Sequence, residues 1–290
     1  AFSSAPGCNA VAVAEYVISS LFALSQENAA PLCGQTIGIV GVGNIGSCLA
    51  QKLKALNVDV LLCDPIKHEQ GLLAEHVELD ELLERVDAVT FHVPLIKTGE
   101  HKTHHLIDEK RLKALKPGLA VINASRGEVI DNQALLSVME QGADLDLVLD
   151  VWENEPNILI PLLDHVRYAS VHIAGHTLEG KARGTQMLYQ ALCKLKGVTA
   201  EKSLADFLPQ PAVTSLSLQS SFTEADIARL VHLIYDVRRD DGILLRNLAK
   251  DGFDSLRKNY PVRREFSTLT VKGSAQHTDA LAQLGFNTAN

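Results

Sequence analysis

Residues Thr36–Asp64, TIGIVGVGNIGSCLAQKLKALNVDVLLCD, carry the strongest pattern in this 290-residue chain. An apolar run short enough for a buried strand leads into a G-x-G-x-x-G turn, Gly41–Gly46, and then into a helix with one apolar face. A second strand, Val58–Cys63, ends at Asp64. Strand, glycine turn, helix, strand and terminal acid in this order predict a βαβ unit that binds a dinucleotide.

The three glycines and the helix start have separate physical roles in this prediction. Gly41 permits the tight turn, Gly43 lets the backbone approach a pyrophosphate, and Gly46 lets the helix pack close to the strand. The free N–H groups at the helix start, Asn44 and Ile45, attract the phosphate charge together with the helix dipole. The alternative is an ordinary βαβ unit whose glycines only make a tight turn.

The acid at the end of the second strand indicates which dinucleotide binds. Asp64 lies 18 residues after Gly46, where its carboxylate can accept hydrogen bonds from both ribose hydroxyls. The same negative charge would repel a 2′-phosphate, because like charges at close range disfavour binding. We therefore expect NAD as the cofactor and not NADP.

Composition excludes several classes of function. A net charge of −8 argues against a general nucleic-acid or anionic-membrane binder, so neither partner is expected. The apolar segment Val11–Leu24 contains Glu15 and follows no basic segment, which favours a buried helix over a membrane span or a secretion signal. The five cysteines are scattered and form no C-x-x-C pair, which is typical of reduced thiols in a cytoplasmic protein.

Four further strands are predicted after Asp64, and they alternate with helices. They cover Ala88–Val93, Leu119–Asn123, Leu145–Val151 and Tyr168–Ile173. This alternation predicts an α/β fold with a doubly wound parallel sheet of Rossmann type, which binds ligands at the carboxyl ends of its strands. Helices are expected to begin at four capping residues, Asn9, Asp108, Asp131 and Thr177.

The last part of the chain has a different character. After a linker over residues 197–211, the predicted elements are a half-exposed strand over Val213–Leu218, a helix over Phe222–Tyr235 capped by Thr223, a strand over Thr268–Val271 and a helix over Thr278–Leu284. Residues 236–241 form a charged segment. We expect a small α+β module that docks on the main domain or pairs with another copy, because so small a unit is marginal alone.

Three polar residues, Arg126, Glu155 and His172, fall at or near the ends of predicted strands, where a doubly wound sheet gathers its ligand. A histidine can take a hydroxyl proton, a carboxylate can orient and stabilise the imidazole, and an arginine can bind a carboxylate with paired donors. Beside a nicotinamide cofactor, the trio suits hydride transfer to or from a 2-hydroxy acid. The ordinary alternatives are a surface arginine, a solvated loop glutamate and a hydrogen-bonded core histidine.

Other histidines are weaker candidates for chemistry. His101, His104 and His105 cluster in a predicted loop, but no carboxylate or thiolate partner is evident near them in the sequence. A solvated loop is therefore the better interpretation, and no metal site is expected. His92 lies near a strand end and is expected to line the cofactor pocket.

Two arginine pairs in the C-terminal part are also candidates. Arg238-Arg239 and Arg263-Arg264 have the charge and hydrogen-bond donors to bind a substrate phosphate or an acidic partner surface. The default interpretation is a salt-bridged, solvated face, because exposed charges usually pair with one another or with water.

Six motifs together carry a resemblance to the NAD-dependent D-2-hydroxyacid dehydrogenases. In chain order they are Val40–Gly46, His92–Leu95, Lys116–Gly118, Asn123–Gly127, Asp150–Pro156 and His172–Gly175. The resemblance implies the roles given above: His172 as acid and base, Glu155 as its partner and Arg126 as substrate binder. It also places cofactor-contacting positions at Asp64, Val93, Ser125, Asp150 and Gly175, with Val93 acting through its backbone.

Flanking segments are similar to one subgroup of this family. They are Pro6–Ala10, Thr177–Gly184 and Leu230–Asp241, together with the C-terminal module that generic members lack. The resemblance implies a small phosphorylated 2-hydroxy acid as substrate and a homodimer formed through the C-terminal module.

Two departures from the subgroup matter. Its members carry a further segment before the first helix that forms much of the substrate-binding lobe, and the present chain begins at Ala1 almost directly in that helix. We therefore expect an N-terminally shortened chain whose own turnover is slow or absent. The position after Gly175 is usually a substrate-contacting tyrosine but is His176 here, which puts substrate affinity in question.

These patterns predict four parts of the chain. Residues 1–26 are the hinge helix and a remnant of the substrate domain, 27–180 the NAD-binding domain, 181–204 a return helix and linker, and 205–290 the dimerisation domain. Two alternatives remain for function. One is another D-2-hydroxyacid dehydrogenase, acting for example on phosphoglycerate, and the other is an NADH-sensing interaction protein without turnover.

Overall fold

The protein is described by a computed structural model that covers residues 2–218, 222–273 and 275–289. Within these ranges the first part contains α1 (Ala10–Glu27), β1 (Thr36–Val40), α2 (Asn44–Lys54), β2 (Asp59–Cys63), α3 (Pro65–Glu69), α4 (Leu79–Arg85), β3 (Ala88–Phe91), α5 (Glu109–Ala114), β4 (Leu119–Asn123), α6 (Asn132–Glu140), β5 (Leu145–Leu149), β6 (Tyr168–Ala169) and α7 (Leu178–Lys196). The remainder contains β7 (Ser215–Ser217), α8 (Glu224–Ile234), α9 (Val237–Asp251), α10 (Phe253–Lys258), β8 (Thr270–Lys272), α11 (Ala275–Leu284) and β9 (Asn287–Ala289).

The main sheet has six parallel strands in the order β2-β1-β3-β4-β5-β6. This confirms the predicted doubly wound sheet. The chain runs from β1 through α2 to β2 on one side, and then from β2 through α3 and α4 to β3 on the other side of β1. The carboxyl end of β1 therefore lies at the topological switch point, where open α/β sheets bind their ligands.

The strands of this sheet form the centre of the core because helices cover both faces. Every residue of β3 and β4 is buried, as expected for parallel strands. The β4 boundaries agree with the prediction, whereas the predicted sixth strand was too long. β6 ends at Ala169 because the backbone turns sharply at His172, which has a φ of +57°.

The four helix starts predicted in the first part of the chain are confirmed, and three of them have a side-chain cap. Asp108, Asp131 and Thr177 each accept a hydrogen bond from a backbone N–H in the first turn of α5, α6 and α7 respectively. Asn9 is the N-cap residue of α1 as predicted, but its side chain makes no capping hydrogen bond to the helix. The Asn9 side chain instead lies so close to Gly175 that a Cβ added there would be 2.5 Å from its Nδ2.

Three helices were not predicted, namely α3, α9 and α10. α3 occupies a segment expected to be loop, and α9 contains the charged run between residues 236 and 241. α9 forms because a narrow stripe of Val237, Asp240 and Leu244 is buried, while its other charged side chains stay nearer to solvent. Asp236 begins the helix by accepting a hydrogen bond from the Arg238 N–H.

The C-terminal part packs against the main part of the molecule. Its own small sheet has the order β7-β8-β9 with all pairs parallel, and α8 and α9 pack on α1 while α9 also contacts β6. Among the described residues, no helix combines the length and apolarity needed to cross a membrane. The domain boundaries at residues 26, 180 and 204 stay a prediction.

Candidate active site

The turn after β1 has the geometry that a dinucleotide phosphate requires. Gly41 has a φ of +91°, and a Cβ there would lie 2.6 Å from the carbonyl oxygen of His92. A Cβ on Gly46 would lie 2.1 Å from the Gly41 carbonyl oxygen, so both positions need glycine. By contrast, no atom lies within 4 Å of a Cβ on Gly43, which leaves open space beside the start of α2. The residues present therefore fit a bound pyrophosphate.

Asp64 lies beside this turn at the carboxyl end of β2. Its Oδ2 accepts a hydrogen bond from the Val42 N–H at 2.9 Å, and its Oδ1 accepts from the Lys67 N–H at 3.0 Å. These bonds fix the carboxylate between the glycine turn and α3. Each carboxylate oxygen can accept a further bond, so the ribose hydroxyls can still be held.

Two members of the predicted trio form a hydrogen-bonded pair. His172 Nδ1 lies 2.8 Å from Glu155 Oε2, and Glu155 Oε1 accepts from the Trp152 N–H at 2.9 Å. Both side chains are partly exposed, at 29% for His172 and 21% for Glu155. Because Nδ1 faces Glu155, the other ring nitrogen of His172 is left for a ligand.

A cavity of about 350 Å³ brings most of the predicted site residues together. His172 and Arg126 line it, and Glu155 lies behind His172. The predicted cofactor-contacting residues that also line it are Ile45, Val93, Ser125, Asp150 and Gly175, together with His92 and His176. Arg126 donates from Nη1 to the Ser125 carbonyl oxygen at 2.6 Å, and no carboxylate pairs with it in the described chain.

Asp150 shapes the loop that carries His172. Its buried carboxylate accepts hydrogen bonds from Ser170 Oγ at 2.7 Å, the Ile173 N–H at 2.7 Å and the Ala174 N–H at 2.9 Å. Burial raises the pKa of Asp150, although these donors oppose the shift. The backbone of loop 171–174 thus binds the Asp150 carboxylate, and for this reason β6 ends before the predicted residue, Ile173.

Two histidines of the cavity are kept neutral by burial. Desolvation lowers the pKa of His92 to about 3 and that of His176 to about 4, the latter with a contribution from nearby cations. Nδ1 of each ring is buried without a hydrogen-bond partner in the described structure. His176 therefore presents a neutral imidazole at the position where the family resemblance implies a tyrosine.

Sequence reasoning missed the contribution of Gly127. A Cβ at this position would lie 1.9 Å from the carbonyl carbon of Trp152, so only glycine lets the two loops touch. This contact sets the Arg126 loop against the loop that carries Glu155. The sequence feature that could have indicated this contact is the glycine directly after Arg126, in the motif Asn123–Gly127.

Sequence reasoning also missed Arg257. This residue of α10 lines the same cavity, and its Nε donates to the His172 carbonyl oxygen at 3.2 Å. No local pattern marks it, because it lies 85 residues after His172 in the chain.

The histidine loop has carboxylate partners, contrary to expectation. His105 Nε2 lies 2.6 Å from Glu153 Oε1, and its Nδ1 lies 3.3 Å from Asp131 Oδ2. His104 joins His105 and Glu153 in one group whose candidate ligand atoms lie within 4.8 Å of one another. His101 lies apart from them, 3.1 Å from Glu69. Both ring nitrogens of His105 are engaged by carboxylates that cap or face the start of α6, so this group braces the loop.

The arginine pairs divide into exposed and buried residues. Arg238 pairs with Asp236 at 2.8 Å, and Arg239 pairs with Asp240 at 3.2 Å, as the default interpretation expected. The expectation of a solvated face was wrong for Arg263, which is only 1% exposed. Its guanidinium donates to the carbonyl oxygens of Ala174 and Ala12 and stacks on the Tyr235 ring at 3.6 Å.

Two family models match the chain. The model described as D-isomer specific 2-hydroxyacid dehydrogenase, NAD binding domain, matches residues 16–177. A model described as a domain of unknown function matches residues 207–285. The first model contains the glycine turn, the predicted trio and the cofactor-contacting positions.

Relatives and solved structures agree with the first model. The erythronate-4-phosphate dehydrogenase of Pseudoalteromonas translucida (strain TAC 125) is 79% identical over 100% of this chain and 78% of its own length. That of Proteus mirabilis (strain HI4320) is 50% identical over 99% of this chain and 77% of its own.

Among solved structures, the NAD-dependent formate dehydrogenase from Staphylococcus aureus in complex with NAD has a TM-score of 0.56 at 27% identity, covering 68% of this chain and 65% of its own. The holo D-mandelate dehydrogenase of Rhodotorula graminis has a TM-score of 0.54 at 31% identity, and the match covers 66% of this chain and 64% of its own. Because a family model matches more than half of its length and relatives align over its whole length at high identity, this chain belongs to the D-isomer specific 2-hydroxyacid dehydrogenases and, within them, to the erythronate-4-phosphate dehydrogenases.

Proposed function

We propose that this protein oxidises 4-phospho-D-erythronate at C2 to the 2-oxo acid with NAD, as a step in the route to pyridoxal 5′-phosphate. The observation that carries the proposal is the 2.8 Å bond between His172 and Glu155, at a cavity that Arg126 and Ile45 of the glycine turn also line. The substrate follows from the names of the relatives, and the chemistry follows from the residues.

NAD supplies the hydride acceptor when bound. His172 takes the proton of the C2 hydroxyl through the nitrogen that does not face Glu155, and returns it in the reverse reaction. Glu155 holds the ring in one tautomer and stabilises the imidazolium that forms, because it offers a carboxylate at hydrogen-bond distance. The pair therefore works as the proton acceptor of the proposed reaction.

Arg126 binds the substrate carboxylate in this proposal. Its guanidinium offers several N–H donors in a plane, and only Nη1 is used within the described structure, by the Ser125 carbonyl. The same group polarises the 2-oxo product. The remaining site residues, from Gly41 to Gly46, Asp64, Val93, Ser125, Asp150 and Gly175, hold the cofactor, and His176 contacts the substrate.

The activity test compares substrates and one variant. Protein from the full coding sequence should reduce NAD with 4-phospho-D-erythronate faster than with 3-phosphoglycerate, measured as absorbance of NADH. His172→Ala should lower kcat by about 100- to 10,000-fold, which is the usual contribution of a general base, while NADH still binds.

Three outcomes of this test would change the conclusion. A preference for 3-phosphoglycerate would favour another dehydrogenase of the family. Absent turnover with intact NADH binding would favour an NADH-sensing protein. Normal kcat in His172→Ala would remove the proposed base.

We also propose a cytoplasmic homodimer formed through the C-terminal module and the adjoining α7. All five cysteines are free thiols. α7 has an exposed apolar stripe of Leu188, Leu192 and Leu195, and Phe207 is 71% exposed where the module begins. A second copy would cover these side chains, since exposed apolar patches mark interfaces.

Light scattering measures the mass of the assembly. The wild-type protein should have twice the mass of one chain, and Leu192→Glu combined with Leu195→Glu should shift it toward the monomer. Lys194→Glu on the same helix is the control for added charge. A monomeric wild-type protein would contradict this proposal.

A further inference from the structure

The cavity beside His172 contains one cation that the reaction at C2 does not use. Arg257 lies on α10 in the C-terminal part, half-buried, and lines the cavity together with Arg126, His172 and His176. Its Nε donates to the His172 carbonyl oxygen at 3.2 Å. The two remaining nitrogens, Nη1 and Nη2, have no hydrogen-bond partner among the described residues, so one edge of the guanidinium is free.

Arg257 also lacks a counter-charge. Most arginines of the C-terminal part that approach the main part are neutralised, as Arg264 is by Glu179 at 2.6 Å. Within the described chain no carboxylate lies at ion-pair distance from Arg257. The acid that lines the cavity, Asp150, is buried and already accepts three hydrogen bonds. The cavity therefore has an excess of positive charge, which suits a ligand with more than one negative group.

Position in the chain separates Arg257 from the general machinery of the family. The NAD-binding family model ends at residue 177, and Arg257 falls within the second match over residues 207–285. The solved formate and mandelate dehydrogenases cover 68% and 66% of this chain. Formate and mandelate carry no phosphate, so those substrates offer no phosphate group to a cation at this position.

The neighbouring Arg263 fixes the C-terminal part against the cavity. It is buried and donates to the carbonyl oxygens of Ala174 at 2.9 Å and of Ala12 at 2.6 Å, which ties the module to the loop after His172 and to α1. A cation supported in this way loses little freedom on binding an anion. Arg257 therefore has one direct contact to the catalytic loop, its hydrogen bond to the His172 carbonyl oxygen, while Arg263 anchors the same segment of the C-terminal part.

We propose that Arg257 binds the phosphate group of the substrate through Nη1 and Nη2, while Arg126 binds the carboxylate at the other end. The inference rests on the proposed function, and it adds that substrate selectivity comes from the C-terminal module. A planar guanidinium with two free amino groups makes paired, charge-assisted hydrogen bonds to phosphate oxygens.

The test measures selectivity for the phosphate in protein from the full coding sequence. kcat/KM is determined for 4-phospho-D-erythronate and for D-erythronate with wild type, Arg257→Met and Arg257→Lys. The control is Arg246→Met, an exposed arginine on α9 that does not line the cavity. Arg257→Met should lower kcat/KM for the phosphorylated acid by about 10- to 100-fold, as expected for a charged hydrogen bond, and leave D-erythronate nearly unchanged. For Arg257→Lys, kcat/KM for the phosphorylated acid should lie between the values of wild type and Arg257→Met. For Arg246→Met it should equal that of wild type.

A fall of equal size for both acids would overturn the proposal, because it would show that Arg257 only positions the His172 loop. Unchanged kinetics for both acids would also overturn it. If wild type turns over neither acid, the proposed function fails, and Arg257 is tested by calorimetry with inorganic phosphate on NADH-loaded protein. Phosphate should then bind wild type and Arg246→Met, and bind Arg257→Met about 10-fold more weakly. Equal affinities would reject the phosphate site.

Discussion

At the scale of the residue, the cavity sorts its histidines by burial. His92 and His176 are held neutral, with pKa values lowered to about 3 and about 4, because their environment does not solvate a charged ring. His172 alone among the three pairs with a carboxylate, at 2.8 Å from Glu155. We therefore propose His172 as the acid–base residue of this cavity, with the other two rings as neutral donors or acceptors.

Asp64 is expected to set the preference for the cofactor. Asp64→Ser removes the carboxylate that accepts the ribose hydroxyls and repels a 2′-phosphate, so NADH should bind about 10-fold more weakly while NADPH binds as well or better. Fluorescence titration with both dinucleotides measures the ratio. The ratio of the two affinities is used because Asp64 also accepts hydrogen bonds from the Val42 and Lys67 N–H groups. Loss of these bonds could disturb the glycine turn and weaken the binding of both dinucleotides.

The ratio separates the two roles of Asp64. A loss of the same size for NADH and NADPH would mean that the substitution only disturbs the glycine turn. Asp59→Ser, at the exposed start of β2, is the matched control and should leave both affinities unchanged.

At the scale of the element, the site is formed by two loops that contact each other because Gly127 has no side chain. The loop after β4 carries Arg126, and the loop after β5 carries Glu155. They meet where Gly127 faces the backbone of Trp152 and Glu153. The His105 imidazole braces the same region through Glu153 and Asp131, so the second loop is supported from both sides.

Gly127→Ala should therefore damage both stability and turnover. The added Cβ would lie 1.9 Å from a backbone carbonyl carbon, which cannot move without shifting the loop that carries Glu155. We expect a loss of about 2–4 kcal/mol in the free energy of unfolding, in the range of severe overpacking, and a large fall in kcat. Thermal unfolding and NADH production measure the two effects.

Gly184→Ala is the control for this substitution. Gly184 lies in α7 with its nearest neighbour, Cys8 Sγ, 3.5 Å from an added Cβ, so alanine fits and favours the helix. A Gly127→Ala protein as stable and active as Gly184→Ala would contradict the close contact between the two loops.

At the scale of the whole molecule, α1 connects the parts. It is buried along most of its length and packs on α2, α7, α8 and α9. Its Glu15 is fully buried, accepts a hydrogen bond from the Phe266 N–H at 3.0 Å and lies 3.6 Å from Lys52 Nζ. Desolvation raises the pKa of Glu15 from 4.5 to about 8, with Lys52 opposing the shift.

This buried acid makes stability depend on pH. Between pH 4.5 and 8 the folded chain keeps a proton on Glu15 that the unfolded chain releases, so stability falls as pH rises through this window. The slope is at most about 1.4 kcal/mol per pH unit. Glu15→Gln keeps the shape of the side chain and removes the titration. The Tm of this variant, relative to that of wild type, should therefore increase from pH 6 to pH 8.

Urea unfolding at pH 6, 7 and 8 checks the sign of this effect. Glu75→Gln, an exposed glutamate outside the elements of the sheet, is the control and should run parallel to wild type. A Glu15→Gln protein that loses stability relative to wild type as pH rises would show that Glu15 is charged and paired with Lys52 in the folded state.

Much of the fold follows from local pattern because its signals are short in sequence. The unit from β1 to β2, the strand β4 and the caps at Asp108, Asp131 and Thr177 each depend on residues a few positions apart. α9 was missed because its buried stripe is narrow and its charges dominate the pattern. The end of β6 was missed because two N–H groups of the following loop, those of Ile173 and Ala174, bind the carboxylate of Asp150, which directly follows β5.

The sequence by itself determined the class of sheet and the glycine turn. It also predicted Asp64 as the acid that selects NAD and the trio of Arg126, Glu155 and His172, since each of these residues lies in a short motif. Only the tertiary structure decided that Gly127 must be glycine, that Arg263 is buried and that Arg257 reaches the cavity. These facts depend on contacts between distant segments, such as the 85 residues between His172 and Arg257. Chain packing sets such contacts, and no local periodicity encodes them.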